Sequence, residues 1–215
     1  MDAAEQCAQC QKDLALCICK EIQPQATDLH VLILQHPQEP DHEIGSARLM
    51  HLALPNSTLK IGLSWPNLGA VLGHKNINPK HWAVLYLGSG LKSEEKIEKK
   101  PLQFVSQKGN PIDPPNELEG IVILDGSWSQ AKSLWWRNAW LLKLQRIILT
   151  PQHKSLYREL RKEPRRECLS TIESVAETLE LLGEKPEVSE HLRMLFSQLL
   201  SAKRRLNRKP PPTPA

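Results

Sequence analysis

Apolar residues along the chain gather in short blocks rather than in long amphipathic stretches. Leu29 to Gln35 (LHVLILQ) is one such block, ended by His36-Pro37. Its nearly continuous apolar character over so few residues suits a strand buried on both faces better than a helix. Ser57 to Trp65, Trp82 to Leu87, Gly120 to Leu124 and Gln145 to Thr150 have the same character, several of them bounded by Pro, Gly or Asp. Segments with helical period alternate with them: Ser46 to Leu54, closed by Pro55-Asn56; a stretch opened by Ser127; and Thr171 to Leu182, ended by Gly183. Apolar strands alternating with helices predict an α/β fold with a largely parallel sheet and helices on both of its faces.

The pattern fails in three places. Residues 89–119 carry Lys and Glu repeats, Gly109-Asn110-Pro111 and Pro114-Pro115, and predict an insertion loop whose only anchor is Leu102 to Val105. Residues 209–215 (KPPPTPA) cannot build a core and predict a disordered tail. Residues 1–27 precede the first strand and hold most of the cysteines, which sets them apart as a small N-terminal segment ahead of a domain over 28–208.

Composition narrows the class. The chain has 215 residues, 40% of them hydrophobic and 24% charged, enough for one globular domain with a core that needs no disulfide staples. No apolar run approaches the roughly 20 residues that cross a bilayer, and Met1 to Cys10 is polar, so a cytoplasmic protein with no membrane partner is expected. In a reducing compartment the cysteines need another explanation than disulfides. Four of the five fall within thirteen residues, as Cys7-x2-Cys10 and Cys17-x-Cys19, with Cys168 far away. Thiolates at this spacing converge on a tetrahedral ion, and structural zinc is the preferred reading. An iron–sulfur cluster, a redox pair and four unrelated thiols are the alternatives.

Charge is modest in sum and uneven in distribution. The net charge is +4, yet Lys132 to Arg166 contains ten Lys or Arg against two acids, and Lys203, Arg204, Arg205, Arg208 and Lys209 form a second run. Such concentration suggests a polyanionic partner, the alternative being a solvated face.

Several polar strings could carry chemistry. Asp125 stands at the C-terminal end of a strand expected to be parallel, where open α/β sheets bind ligands; it is either catalytic or closes the turn. Ser127 and Gln130 have capping-box spacing, as do Ser170 and Glu173. Helix-start amides at the second site also suit an anionic group such as an amino-acid carboxylate. Continued at 100° per residue, the helix after Ser127 places Ala131, Leu134, Trp135, Leu141 and Leu142 toward the core. Lys132, Trp136, Trp140 and Lys143 share the opposite arc. Rings interleaved with ammonium groups could stack bases and hold phosphates, or cover another element or subunit. No GxxxxGK[ST] or HExxH string is present, and Gly88-Ser89-Gly90 lacks the third glycine of a dinucleotide loop.

Taken together, Cys7-x2-Cys10 with Cys17-x-Cys19, His36-Pro37-x-Glu39, Gly45-Ser-Ala-Arg48-Leu49, Asp125-Gly-Ser-Trp128-x-x-Ala131 and Arg161-Lys-Glu-Pro164 running into Leu169-Ser-Thr-Ile-Glu173 resemble the DTW-domain family over roughly Cys7 to Gly183. Ser127 stands where the family commonly has Thr, and Leu87-Gly88 where a proline usually follows the tyrosine. The resemblance implies a tRNA-uridine aminocarboxypropyltransferase with a SPOUT-like fold and a C-terminal knot. It would move the 3-amino-3-carboxypropyl group of S-adenosylmethionine to uridine N3 in tRNA and release methylthioadenosine, with Asp125 as candidate base or hydrogen-bond acceptor. The cofactor would contact strand-end loops, Tyr86, Leu87 and Gly88, then Leu124, Gly126 and Ser127, then Leu149 and Thr150, and finally Leu169, Ser170 and Thr171 with Glu173. The tRNA would meet Lys132, Trp136, Trp140, Arg158, Arg161, Arg165 and Arg166, with Arg48 from the Gly45 string. No catalytic metal is implied. A SPOUT-type RNA methyltransferase and a noncatalytic zinc-containing RNA-binding module are the competing readings.

Overall fold

A computed structural model of the chain describes residues 5–40, 42–75, 77–85, 100–157 and 169–207. The apolar blocks are strands: β1 (His30–Gln35), β2 (Ser57–Ile61), β3 (Trp82–Leu85), β4 (Leu102–Val105), β5 (Pro111–Ile112), β6 (Gly120–Asp125) and β7 (Gln145–Leu149). They form one sheet in the order β2-β1-β6-β3-β7-β4-β5. β2, β1, β6, β3 and β7 run parallel, and β4 and β5 close one edge antiparallel. The α/β class and the mostly parallel sheet are as expected. β4 coincides with the anchor read in the insertion, and residues 86–99 lie outside the described residues.

Helices cover both faces because neighbouring strand residues point to opposite sides. Val31, Ile33, Ala83, Leu85, Ile121, Ile123 and Ile147 form one core with α1 (Ala47–Ala53), α4 (Thr171–Leu181) and α5 (Pro186–Asn207), joined by Leu16 and Ile18 of the N-terminal segment. Leu32, Leu34, Val84, Val122 and Leu124 form the other with α2 (Leu68–Leu72) and α3 (Trp128–Arg137). α5 was not anticipated. It is the longest helix among the described residues, 22 residues or about 33 Å, and its buried stripe from Val188 to Ala202 faces α4, α1 and the N-terminal segment. Among the described residues no helix is long and apolar enough to cross a membrane.

One helix is shorter than its period suggested. α3 stops at Arg137, Asn138 takes a non-helical conformation (φ −119°, ψ 73°), and residues 139–143 form a 3-10 turn. Asn138 is fully buried and holds the break: its Nδ2 donates to Leu134 O at 2.7 Å and Leu63 O at 3.0 Å, and its Oδ1 accepts from the Trp65 N–H at 2.8 Å. The 100° step therefore does not carry past Arg137. Trp140, expected on the solvent arc, is 7% exposed and packed in the second core, whereas Leu142, expected in the core, is 40% exposed.

Candidate active site at the strand ends

β1 and β6 are adjacent and parallel, and their register sets Gln35 beside Asp125 at the C-terminal edge. Two-residue alternation turns both side chains to the face of Ile33 and Ile123, under the N-terminal segment and α1. Gln35 Nε2 donates to Asp125 Oδ2 at 2.8 Å, and the His36 N–H donates to Asp125 O at 3.0 Å. Asp125 is only 5% exposed. Lys12, 8% exposed, reaches over from the N-terminal segment and donates Nζ to Glu43 O at 2.9 Å and His42 O at 3.4 Å. Burial lowers its ammonium to about 8, and the negative charges of Cys10, Asp125 and Glu43 act against that fall.

The turn after Asp125 is built for close approach. Gly126 has φ +156°, and a Cβ there would lie 2.9 Å from Gln130 Cβ and 3.4 Å from His36 Cβ. Ser127 caps α3: its Oγ accepts the Gln130 N–H at 3.4 Å while Gln130 Oε1 accepts the Ser127 N–H at 2.6 Å. Buried Glu39 accepts that same amide at 3.1 Å, which ties the loop after β1 to the helix start.

A second cluster lies at the start of α4. Ser170 and Glu173 form a complete capping box. Glu173 Oε2 also accepts from Ser170 Oγ at 2.7 Å and Ser155 Oγ at 2.9 Å, and Oε1 accepts the Leu156 N–H at 2.7 Å. One turn on, Glu177 accepts the Gln152 N–H at 2.6 Å. The two carboxylates fasten the segment after β7 to α4, and these bonds of Glu173 go to the protein itself. A cavity of about 430 Å³ opens beside them, walled by Leu156, Leu169, Glu173, Glu177 and Arg193 among others.

The remaining expected residues are dispersed. Leu124 is the penultimate residue of β6 and Leu149 the last of β7, with β3, which ends at Leu85, between the two strands. The Thr150 N–H donates to Pro101 O at 2.8 Å. Tyr86, Leu87, Gly88, Arg158, Arg161, Arg165 and Arg166 lie outside the described residues. On α3, Lys132 and Trp136 are exposed and Trp136 is 74% accessible; Trp128, not counted as a binding residue from sequence, is exposed on the same stripe at four-residue spacing. Arg48 is half-buried on α1, and Thr171 opens α4.

The sulfurs of Cys7, Cys10, Cys17 and Cys19 all lie within 4.8 Å of one another, Cys7 and Cys19 at 3.8 Å. A tetrahedron with 2.3 Å metal–sulfur bonds has sulfur–sulfur edges of about 3.8 Å, so the set fits one thiophilic ion. Backbone N–H groups of Cys10 and Gln9 donating to Cys7 lower its thiol to about 6, whereas burial raises Cys10 and Cys19. Four thiolates this close need a cation to neutralise them.

The DTW domain family matches residues 4–204. The chain belongs to the DTW domain family. Its curated relatives include proteins named tRNA-uridine aminocarboxypropyltransferase 2. That of Drosophila melanogaster is 27% identical over 190 residues, covering 86% of this chain and 70% of its own length. Those of Macaca fascicularis and Mus musculus are each 26% identical, covering 87% of this chain and 59% of theirs, so the chain spans about three fifths of these two. No solved structure matches. Within this DTW domain, sequence reasoning located Asp125 and both capping boxes but missed Gln35 and Lys12. Gln35 was legible as the last residue of a strand; Lys12, among cysteines, carried no signal until the chain was folded.

Proposed function

We propose that this DTW protein is a tRNA-uridine aminocarboxypropyltransferase, moving the 3-amino-3-carboxypropyl group of S-adenosylmethionine to uridine N3. The observation that carries the reading is the buried Asp125, oriented by Gln35 at the parallel strand ends within the string that marks the family. The N3 lone pair attacks the methionine Cγ, the Cγ–S bond breaks with its electrons going to sulfur, and methylthioadenosine leaves. A sulfonium activates all three attached carbons, so positioning decides which one reacts. Asp125 accepts the N3 proton as the new N–C bond forms.

The donor would be held by Tyr86, Leu87, Gly88, Leu124, Gly126, Ser127, Leu149, Thr150, Leu169, Ser170 and Thr171, with Glu173 and Glu177 fixing the loop that flanks it. The parallel order β2-β1-β6-β3-β7 is compatible with a SPOUT-like sheet, whose C-terminal knot belongs to the same proposal. N3 lies on the pairing edge, so the uridine must be unstacked. Trp128, Lys132 and Trp136 offer the stacking and charge for flanking nucleotides, and Arg48, Arg158, Arg161, Arg165 and Arg166 the phosphate contacts. Trp140, being core, is withdrawn from that set. Zinc is the proposed occupant of the four thiolates in segment 1–27, ahead of a catalytic domain over 28–208 and a tail over 209–215, in a cytoplasmic protein.

The test is nucleoside mass spectrometry of tRNA incubated with the protein and S-adenosylmethionine. The aminocarboxypropyl mass on uridine with release of methylthioadenosine is expected; a methyl mass with S-adenosylhomocysteine would overturn the reading. Asp125→Asn should cut transfer by about 100-fold or more, the usual weight of a positioned acid–base group, with donor binding retained by calorimetry. Near-normal turnover in that variant would remove Asp125 from the mechanism.

A further inference from the structure

Lysine is almost never buried unless its charge is met, and Lys12 is buried on the segment whose four cysteines fit one metal ion. Its backbone belongs to the cysteine knuckle: Lys12 O accepts the Cys7 N–H at 2.8 Å, two residues after Cys10. Its side chain leaves in another direction, and two of its three N–H donors end on the carbonyls of His42 and Glu43. Those carbonyls sit in the loop after β1. His42 N–H donates to Glu39 O at 2.9 Å, and Glu39 Oε1 accepts the Ser127 N–H at 3.1 Å. Glu43, from the same loop, pairs with Lys203 of α5 at 2.6 Å, so the loop is pinned from both sides.

We infer that Lys12 is a positioning residue for the reaction at Asp125: the four-cysteine knuckle delivers its ammonium to the strand-end site, where it holds the His42 and Glu43 carbonyls of the loop that Glu39 ties to the Ser127 amide beside Asp125. The metal segment is then a wall of the active site as well as a brace for the N-terminus. The inference rests on the role proposed above for Asp125.

The test uses the full chain with Lys12→Met, which keeps length and packing, and Lys12→Arg, which keeps the charge. Metal content and donor binding should match the parent in both. In Lys12→Met kcat at saturating donor and tRNA falls about 10-fold or more with little change in KM, and Lys12→Arg recovers part of it. A kcat within twofold of the parent, or a loss confined to KM, overturns the inference. A second readout does not depend on the reaction: the urea midpoints of Lys12→Met, Asp125→Asn and the double variant. Coupling between the two positions makes the effects non-additive. Additive midpoints would refute the link through the loop, whereas a parent that methylates uridine with coupling intact would refute only the proposed reaction.

Discussion

At the scale of single residues, the molecule places carboxylates out of water in two different ways. Asp125 accepts from Gln35 Nε2 at the C-terminal ends of adjacent parallel strands, a bond that orients one of its oxygens. Glu173 is saturated by Ser170 N–H and Oγ, Ser155 Oγ and Leu156 N–H. A carboxylate that accepts this many bonds is structural, and its loss strands several buried donors at once. Glu173→Ala is therefore expected to destabilise the protein by about 3 kcal/mol, in the range of breaking a buried hydrogen-bonded network. Urea unfolding with an unchanged slope would show it, and a loss below about 1 kcal/mol would mean that the loop after β7 is held by something else.

At the scale of elements, α3 shows where sequence reading worked and where it stopped. Its start was legible because Ser127 and Gln130 form the capping box that their spacing announced. Its end was not, because Asn138 stops the helix through bonds to Leu63 and Trp65, residues some 70 positions away. The break separates Trp136, which stays exposed, from Trp140, which turns into the core. Trp140→Ala should cost about 3–5 kcal/mol as a large core truncation and leave tRNA affinity of the folded fraction unchanged. Trp136→Ala should leave the unfolding midpoint in place and weaken tRNA binding by about 1–3 kcal/mol, the value of one stacked base. Denaturation and filter binding on both variants separate the two; equal destabilisation would contradict the break at Asn138. The same contrast holds elsewhere. β1, β3 and β6 were legible as continuous apolar blocks because they are buried on both faces. α5 was not, because its apolar stripe is diluted by the polar face that a long surface helix carries.

At the scale of the whole molecule, three histidines bridge separate elements, and one of them, His191, does so as an acceptor, which requires its ring to be neutral. His30 of β1 bonds Asn56 at 2.8 Å and Thr58 at 3.0 Å, His51 of α1 bonds Ser57 at 2.7 Å, and His191 of α5 accepts the Gln23 N–H at 3.1 Å. Burial depresses all three below the ordinary 6.5. Between the depressed folded value and 6.5 the unfolded chain binds more protons than the folded one, so the stability these groups contribute is complete above about 6.5 and is lost as pH falls below it. An ion held by the four cysteines, as proposed, would be released over an acid range as well, so the informative quantity is a difference between proteins rather than the slope of one. His191→Gln keeps an acceptor for the Gln23 N–H and removes the titration. Its urea midpoint should fall less than that of the parent between pH 7.5 and pH 5.5. Parallel falls in the two proteins would show that α5 and the N-terminal segment are not linked to pH through His191.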